Sequence, residues 1–143
     1  MGQKKTKEYD PNKHDRFKAL TIRQPWADKI LSGQKRIEVR TWQTKYRGTL
    51  VITSSKNRKL DLNSDRDGVT ICKVELTQIK RFNDLTLEEK YQTGIPEEKW
   101  KNYRGQFAWF LSNPRLVNNI SVKGHLGIWN LVTDRGDLQD YQV

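Results

Sequence analysis

The sequence predicts one α+β domain, a small mixed β-barrel of about six strands flanked by two to three short helices. Three observations carry that expectation. Apolar and β-branched runs are short and bounded by turn residues, as strands require. Helix start and stop signals occur at only a few places. A chain of 143 residues suits a single core burying roughly two-thirds of the unfolded surface.

Residues 1–17 are polar and charged, with Tyr9 the main apolar group before the first strand, and read as a mobile basic tail. Such a tail either scans a nucleic-acid backbone or serves as a solubilising leader. Residues 18–23 read as the first strand. Pro25 suits a helix start because its missing N–H needs no partner there, and Gly33 is placed to end that helix. Residues 36–42 return as a strand with Ile37 and Val39 on one face and Glu38, Arg40 and Trp42 on the other. Residues 49–53 form an apolar strand that runs into Ser54, Ser55 and Lys56. Residues 57–68 form a polar loop closed by Asp67-Gly68, and a long strand comes next over 69–81. Thr86-Leu87-Glu88-Glu89 has the spacing of a capping box and opens a helix to about residue 93, stopped by Gly94 and Pro96. Residues 106–111 alternate as a strand ended by Asn113-Pro114, and residues 122–132 supply the last one. Residues 133–143 read as a C-terminal tail.

Composition narrows the function. Lys and Arg number 27 against 17 Asp and Glu, leaving +10, a balance that favours polyanions as partners or else only keeps the chain dispersed. The single cysteine, Cys72, excludes an internal disulfide, fits a reducing cytoplasmic compartment and shares a strand face with Val74 and Leu76 as a buried thiol. Two distant histidines give no zinc pattern, so no metal and no cofactor are expected. No apolar run is long enough for a membrane span, and no feature calls for an obligate protein partner. P-loop, dinucleotide and nucleophile-elbow motifs are missing. Gly124-His125-Leu126-Gly127 has the spacing of a KH loop but strand-like flanks, so its glycines are expected to permit a bulge or a close backbone contact, with His125 structural.

Lys35, Glu38 and Arg40 are the sharpest candidates. Lys35 follows the Gly33 turn, and Glu38 and Arg40 point the same way from the strand, so the three converge at one mouth of the barrel. A carboxylate between two cations stays ionised. The trio either holds a phosphate and a base edge or forms an exposed ion-pair ladder of little energetic worth.

The run Leu20-Thr21-Ile22-Arg23-Gln24-Pro25-Trp26-Ala27, the G-x-K-x-x-E-x-R of Gly33, Lys35, Glu38 and Arg40, Tyr46-Arg47-Gly48, the strand ending Ser54-Ser55-Lys56, and the late Trp109, Asn113-Pro114 and 122–129 segment together resemble the ASCH domain family of the PUA-like superfamily. The match covers roughly 18–132. It implies a PUA-like barrel with a cleft that binds RNA or a modified nucleoside. Lys35, Glu38 and Arg40 would line that cleft, with Arg23, Gln24 and Trp26 beside it and Ser55 and Lys56 on its rim; in such a cleft a base could stack on Trp26 or Trp42. Some relatives are hydrolases, either ribonucleases or amidohydrolases that deacylate N4-acetylcytidine with a Lys, a Thr and a Glu. The Thr stands three residues after the motif Lys, where this chain has Glu38; Lys35 and Glu38 are then the catalytic candidates, without the hydroxyl nucleophile.

Overall fold

The computed structural model describes residues 8–56 and 65–141. The start of the expected tail, 1–7, and most of the expected polar loop, 57–64, lie outside the described residues.

Six strands form one mixed sheet. They are β1 (His14–Arg23), β2 (Ile37–Arg40), β3 (Gly48–Ser55), β4 (Thr70–Arg81), β5 (Phe107–Leu116) and β6 (Ile128–Asp134), laid side by side in the order β2-β5-β4-β3-β1-β6. Only β1 and β3 run parallel, joined through the helix α1 (Trp26–Ser32) and β2; the other neighbours are antiparallel. The α+β class and the number of strands agree with the expectation, but the barrel does not close. Among the described residues no ladder joins β2 to β6, and the sheet is open.

β3 lies inside the sheet and is covered on both faces, so its run Leu50-Val51-Ile52 is apolar without alternation. Leu50 and Ile52 join Leu20, Ile22, Ile30, Val74 and Trp109 under α1, while Val51 joins Ala19, Val117, Leu131 and Leu138 on the other face. A third cluster of Ile37, Phe82, Leu85 and Ala108 holds the β2 end of the sheet.

Local signals explain the helices. Pro25 precedes α1, and Gly33 ends it in the left-handed conformation at φ +82°. Helix α2 (Leu87–Tyr91) opens with the full capping box: Thr86 Oγ1 accepts from the Glu89 amide at 3.1 Å and Glu89 accepts from the Thr86 amide at 2.9 Å. Two 3-10 turns, Phe82–Asp84 and Glu97–Tyr103, complete the helical content of the described residues.

Several boundaries differ from the sequence reading. β1 begins at His14, because His14–Phe17 pair with Leu131–Asp134 of β6 and Phe17 packs against the Ala19 cluster; these contacts offset the ordering cost that made 14–17 look like part of a tail. Residues 133–141 are likewise tied down, with Leu138 buried and Tyr141 bridging to Leu116. Strand β5 continues through Asn113-Pro114 because its register against β4 shifts there and Asn113 takes φ +52°, a bulge that absorbs the missing N–H of proline. At the other end, residues 122–127 are not strand, and β6 starts only at Ile128.

Candidate functional site

A cleft of about 1080 Å³ opens where the end of β1, the start of α1, β2, the end of β3, residues 94–103 and the loop 122–127 meet. Seven of the nine sequence candidates line it: Arg23, Trp26, Lys35, Glu38, Arg40, Trp42 and Ser55. Gln24 and Lys56 do not. The Gln24 side chain is engaged in holding the α1 entry, accepting from the Asp28 amide at 3.1 Å and donating to the Arg66 carbonyl at 3.2 Å. Lys56 is exposed beyond the rim.

The trio converges, but not as an exposed ladder. Glu38 Oε1 lies 3.3 Å from Lys35 Nζ, and Oε2 lies 2.8 Å from an Arg40 guanidinium nitrogen. Lys35 is only 4% exposed and Glu38 9%. An ammonium has three protons to donate, and Lys35 has three acceptors: Glu38, the Ile37 carbonyl at 2.9 Å and the Thr93 carbonyl at 2.5 Å. Lys35 is thus a fastener between β2 and the segment after α2. Burial pulls its ammonium below the ordinary lysine value, opposed by the Glu38 charge. Arg40 donates to the Thr21 carbonyl at 3.1 Å, yet its Nε is enclosed without an acceptor among the described residues. Two cations and one carboxylate leave the trio one positive charge.

The aromatic walls are anchored from behind. Trp42 meets Trp109 edge to face at 4.7 Å, and Trp109 Nε1 donates to the Trp42 carbonyl at 3.3 Å. Trp26 packs on the core cluster under α1. The cleft is also walled by Gly94, Ile95, Pro96, Lys99 and Tyr103, of which Gly94 and Pro96 were read only as a helix stop. Gly94 turns at φ +74°, the Ile95 amide donates to Thr93 Oγ1 at 3.1 Å, and Trp100 Nε1 donates to the Ile95 carbonyl at 2.9 Å. The Gly-Ile-Pro run directly after a capping-box helix was the available signal, since a fixed turn with an apolar tip is how a wall is built. Thr21 and the 124–127 loop were also missed as cleft lining. His125 was read as a strand residue and is instead exposed, its ring edge to face with Trp129 at 5.0 Å.

With this geometry in place, similarity to known proteins becomes interpretable. A family model, the ASCH domain, matches residues 20–121. The chain belongs to the ASCH domain family. Mouse activating signal cointegrator 1 is 25% identical over 130 residues, covering 78% of this chain but 22% of its own length. This ASCH domain therefore spans about a fifth of that curated relative. Crystal structures of an ASCH protein from Zymomonas mobilis share the fold: one at 16% identity and TM-score 0.57 covers 73% of this chain and 72% of its own, and a single-substitution variant at 17% and 0.56 covers 73% and 74%. The family places this domain among PUA-like folds, which are associated with RNA binding. Among the described residues no helix is long and apolar enough to cross a membrane, and no cluster of metal-ligating side chains occurs.

Proposed function

We propose that the cleft binds one nucleobase, carried by an RNA strand or by a modified nucleoside. The observation that supports this reading most is the Glu38 carboxylate, largely buried and paired with two cations in a cleft that Trp26 and Trp42 also line. A base lying on either indole gains about 1–3 kcal/mol from stacking. Glu38 accepts from an exocyclic amino group such as that of cytosine, while Arg40 and the rim cations Arg23 and Lys99 meet phosphate or a base oxygen. The test is tryptophan fluorescence during titration with a panel of modified nucleosides and short single-stranded RNAs. Saturable quenching is expected, and RNA affinity should fall at least several-fold between about 50 and about 200 mM salt because phosphate contacts release counterions. Salt-independent RNA binding would remove the phosphate contacts, and no quenching by any nucleoside or RNA would remove the reading.

Hydrolysis has weaker support. Glu38 occupies the place of the hydroxyl nucleophile of the N4-acetylcytidine amidohydrolases, and all three Lys35 protons are engaged, so Lys35 is poorly placed to act as a base. No efficient deacetylation of N4-acetylcytidine is expected from the native chain by absorbance assay; substantial turnover would make the domain an enzyme.

A further inference from the structure

The loop 122–127 carries a side chain that the fold does not use. Leu126 lines the cleft and is 100% exposed. The loop around it is held at several points. Gly124 lies so close to Thr21 that an added Cβ would stand 2.7 Å from the threonine methyl, and Thr21 Oγ1 is fixed in turn by Trp129 Nε1 at 3.1 Å and the Thr53 hydroxyl at 3.0 Å. Gly127 at φ +71° turns the chain into β6, and His125 rests on Trp129. The loop is anchored at Val122, whose amide donates to the Gly68 carbonyl at 2.9 Å, and is packed on Thr21 at Gly124, while the leucine is presented to water.

The surroundings select what would cover it. Arg23, Lys99 and the cleft cations Lys35 and Arg40 share the lining with one carboxylate, Glu38, among the described residues, and Lys123 is exposed on the loop itself. A cationic rim with an apolar point fits a polyanion that also offers an apolar stack. Nucleic acid has that combination: phosphates outside and base faces inside. Apolar side chains inserted between base steps unstack them, and a base removed from a helix leaves a gap to fill.

We infer that Leu126 is an unstacking wedge: as one base of a paired RNA strand enters the cleft, Leu126 occupies the gap against the neighbouring base. This rests on the nucleobase reading of the cleft. Because Leu126 buries nothing in the free protein, its truncation leaves the fold untouched, and the test is clean.

The full chain is titrated with two RNAs carrying 2-aminopurine next to a cytosine, one with that cytosine mismatched in a hairpin stem and one in an unpaired strand, using the native protein, Leu126→Ala and Leu126→Met. The native protein is expected to bind both and to raise the stem fluorescence as the base unstacks. Leu126→Ala should melt at the same temperature and bind the unpaired strand as the native chain does. It should bind the stem roughly tenfold more weakly and without the fluorescence rise, with Leu126→Met restoring both. Equal unstacking by Leu126→Ala, equal weakening of both RNAs, or native binding to the unpaired strand alone would each overturn the wedge while leaving the nucleobase site standing. Leu126-dependent binding to anionic lipid vesicles without stem unstacking would also overturn it. If the native protein binds neither RNA and no nucleoside, the nucleobase reading itself falls.

Discussion

The Lys35–Glu38–Arg40 trio in the cleft and the network of Lys73, Glu75, Arg115 and Asp140 on β4, β5 and the C-terminal segment are built from the same residue types. They differ in balance and in contact with water. In the sheet network Arg115 reaches Glu75 at 2.8 Å and Asp140 at 2.9 Å, Lys73 lies 3.6 Å from Asp140, and Thr49 donates to both Glu75 oxygens. Two cations meet two carboxylates, each about a third exposed, and the charges cancel. The cleft trio is deeper and unbalanced, and it keeps an unsatisfied guanidinium donor. A sheet that needs only fastening uses the balanced kind of network. The unbalanced kind costs stability, and buried polar groups left incomplete are features that a site accounts for and a scaffold does not.

The largest expected contrast comes from removing one negative charge in each network. Glu38→Gln leaves two cations facing each other, one of them buried, and should cost about 3–5 kcal/mol by denaturant titration and abolish nucleobase binding. Glu75→Gln, in partly exposed surroundings, should cost at most about 1 kcal/mol and leave binding intact. Equal losses from the two would show that the cleft trio is only another fastening. A smaller contrast separates the lysines. Lys35→Met strands the Thr93 carbonyl and loosens the 94–96 wall, at about 2 kcal/mol with weakened binding; Lys73→Met loses a 3.6 Å ion pair at less than about 1 kcal/mol.

The smallest contrast is in pH. Asp140 is held below its ordinary value of 3.8 chiefly by its hydrogen bond to Arg115, so in acid the unfolded chain binds more protons than the folded one. The stability from this group is present above the unfolded value and is lost as pH falls through the folded one. Lys35, lowered from 10.5 by burial, also binds fewer protons folded than unfolded, but over a window whose upper end is 10.5. Its contribution rises as pH climbs through the lowered value towards 10.5. Melting curves of native protein against Asp140→Asn should therefore diverge in the acid limb, and against Lys35→Met in the limb that ends at 10.5. Divergence in the same limb would erase the distinction.

How much of the fold and the cleft was readable from the chain depended on the range of the interaction concerned. Pro25, Gly33 and the Thr86–Glu89 box act on their own neighbours, and the structure has them at the ends they were read to mark. The alternation from Ile37 to Arg40 likewise put Glu38 and Arg40 on one face, since the pleat alone decides that. The burial of Lys35 was not readable, because its acceptor at Thr93 is 58 positions away and a lysine stem serves equally well in water or under a wall. The start of β1 at His14 depends on partners near Asp134, and closure of a barrel depends on whether two distant edges meet. Residues 122–127 carry strand-like side chains, but Gly124 follows its contact with Thr21 instead.

Cys72 sits in β4 between Ile52 of β3 and Leu116 of β5, in the middle of the sheet, with its thiol pushed up to about 12 by burial. Only the thiolate reacts with oxidants and alkylating reagents, so in the folded chain this sulfur is chemically silent. As the single thiol of the sequence, it is a built-in clock: its modification rate counts the openings that separate β4 from its neighbours, and a ligand that tightens the cleft would be read there as a slower tick, far from any residue it touches.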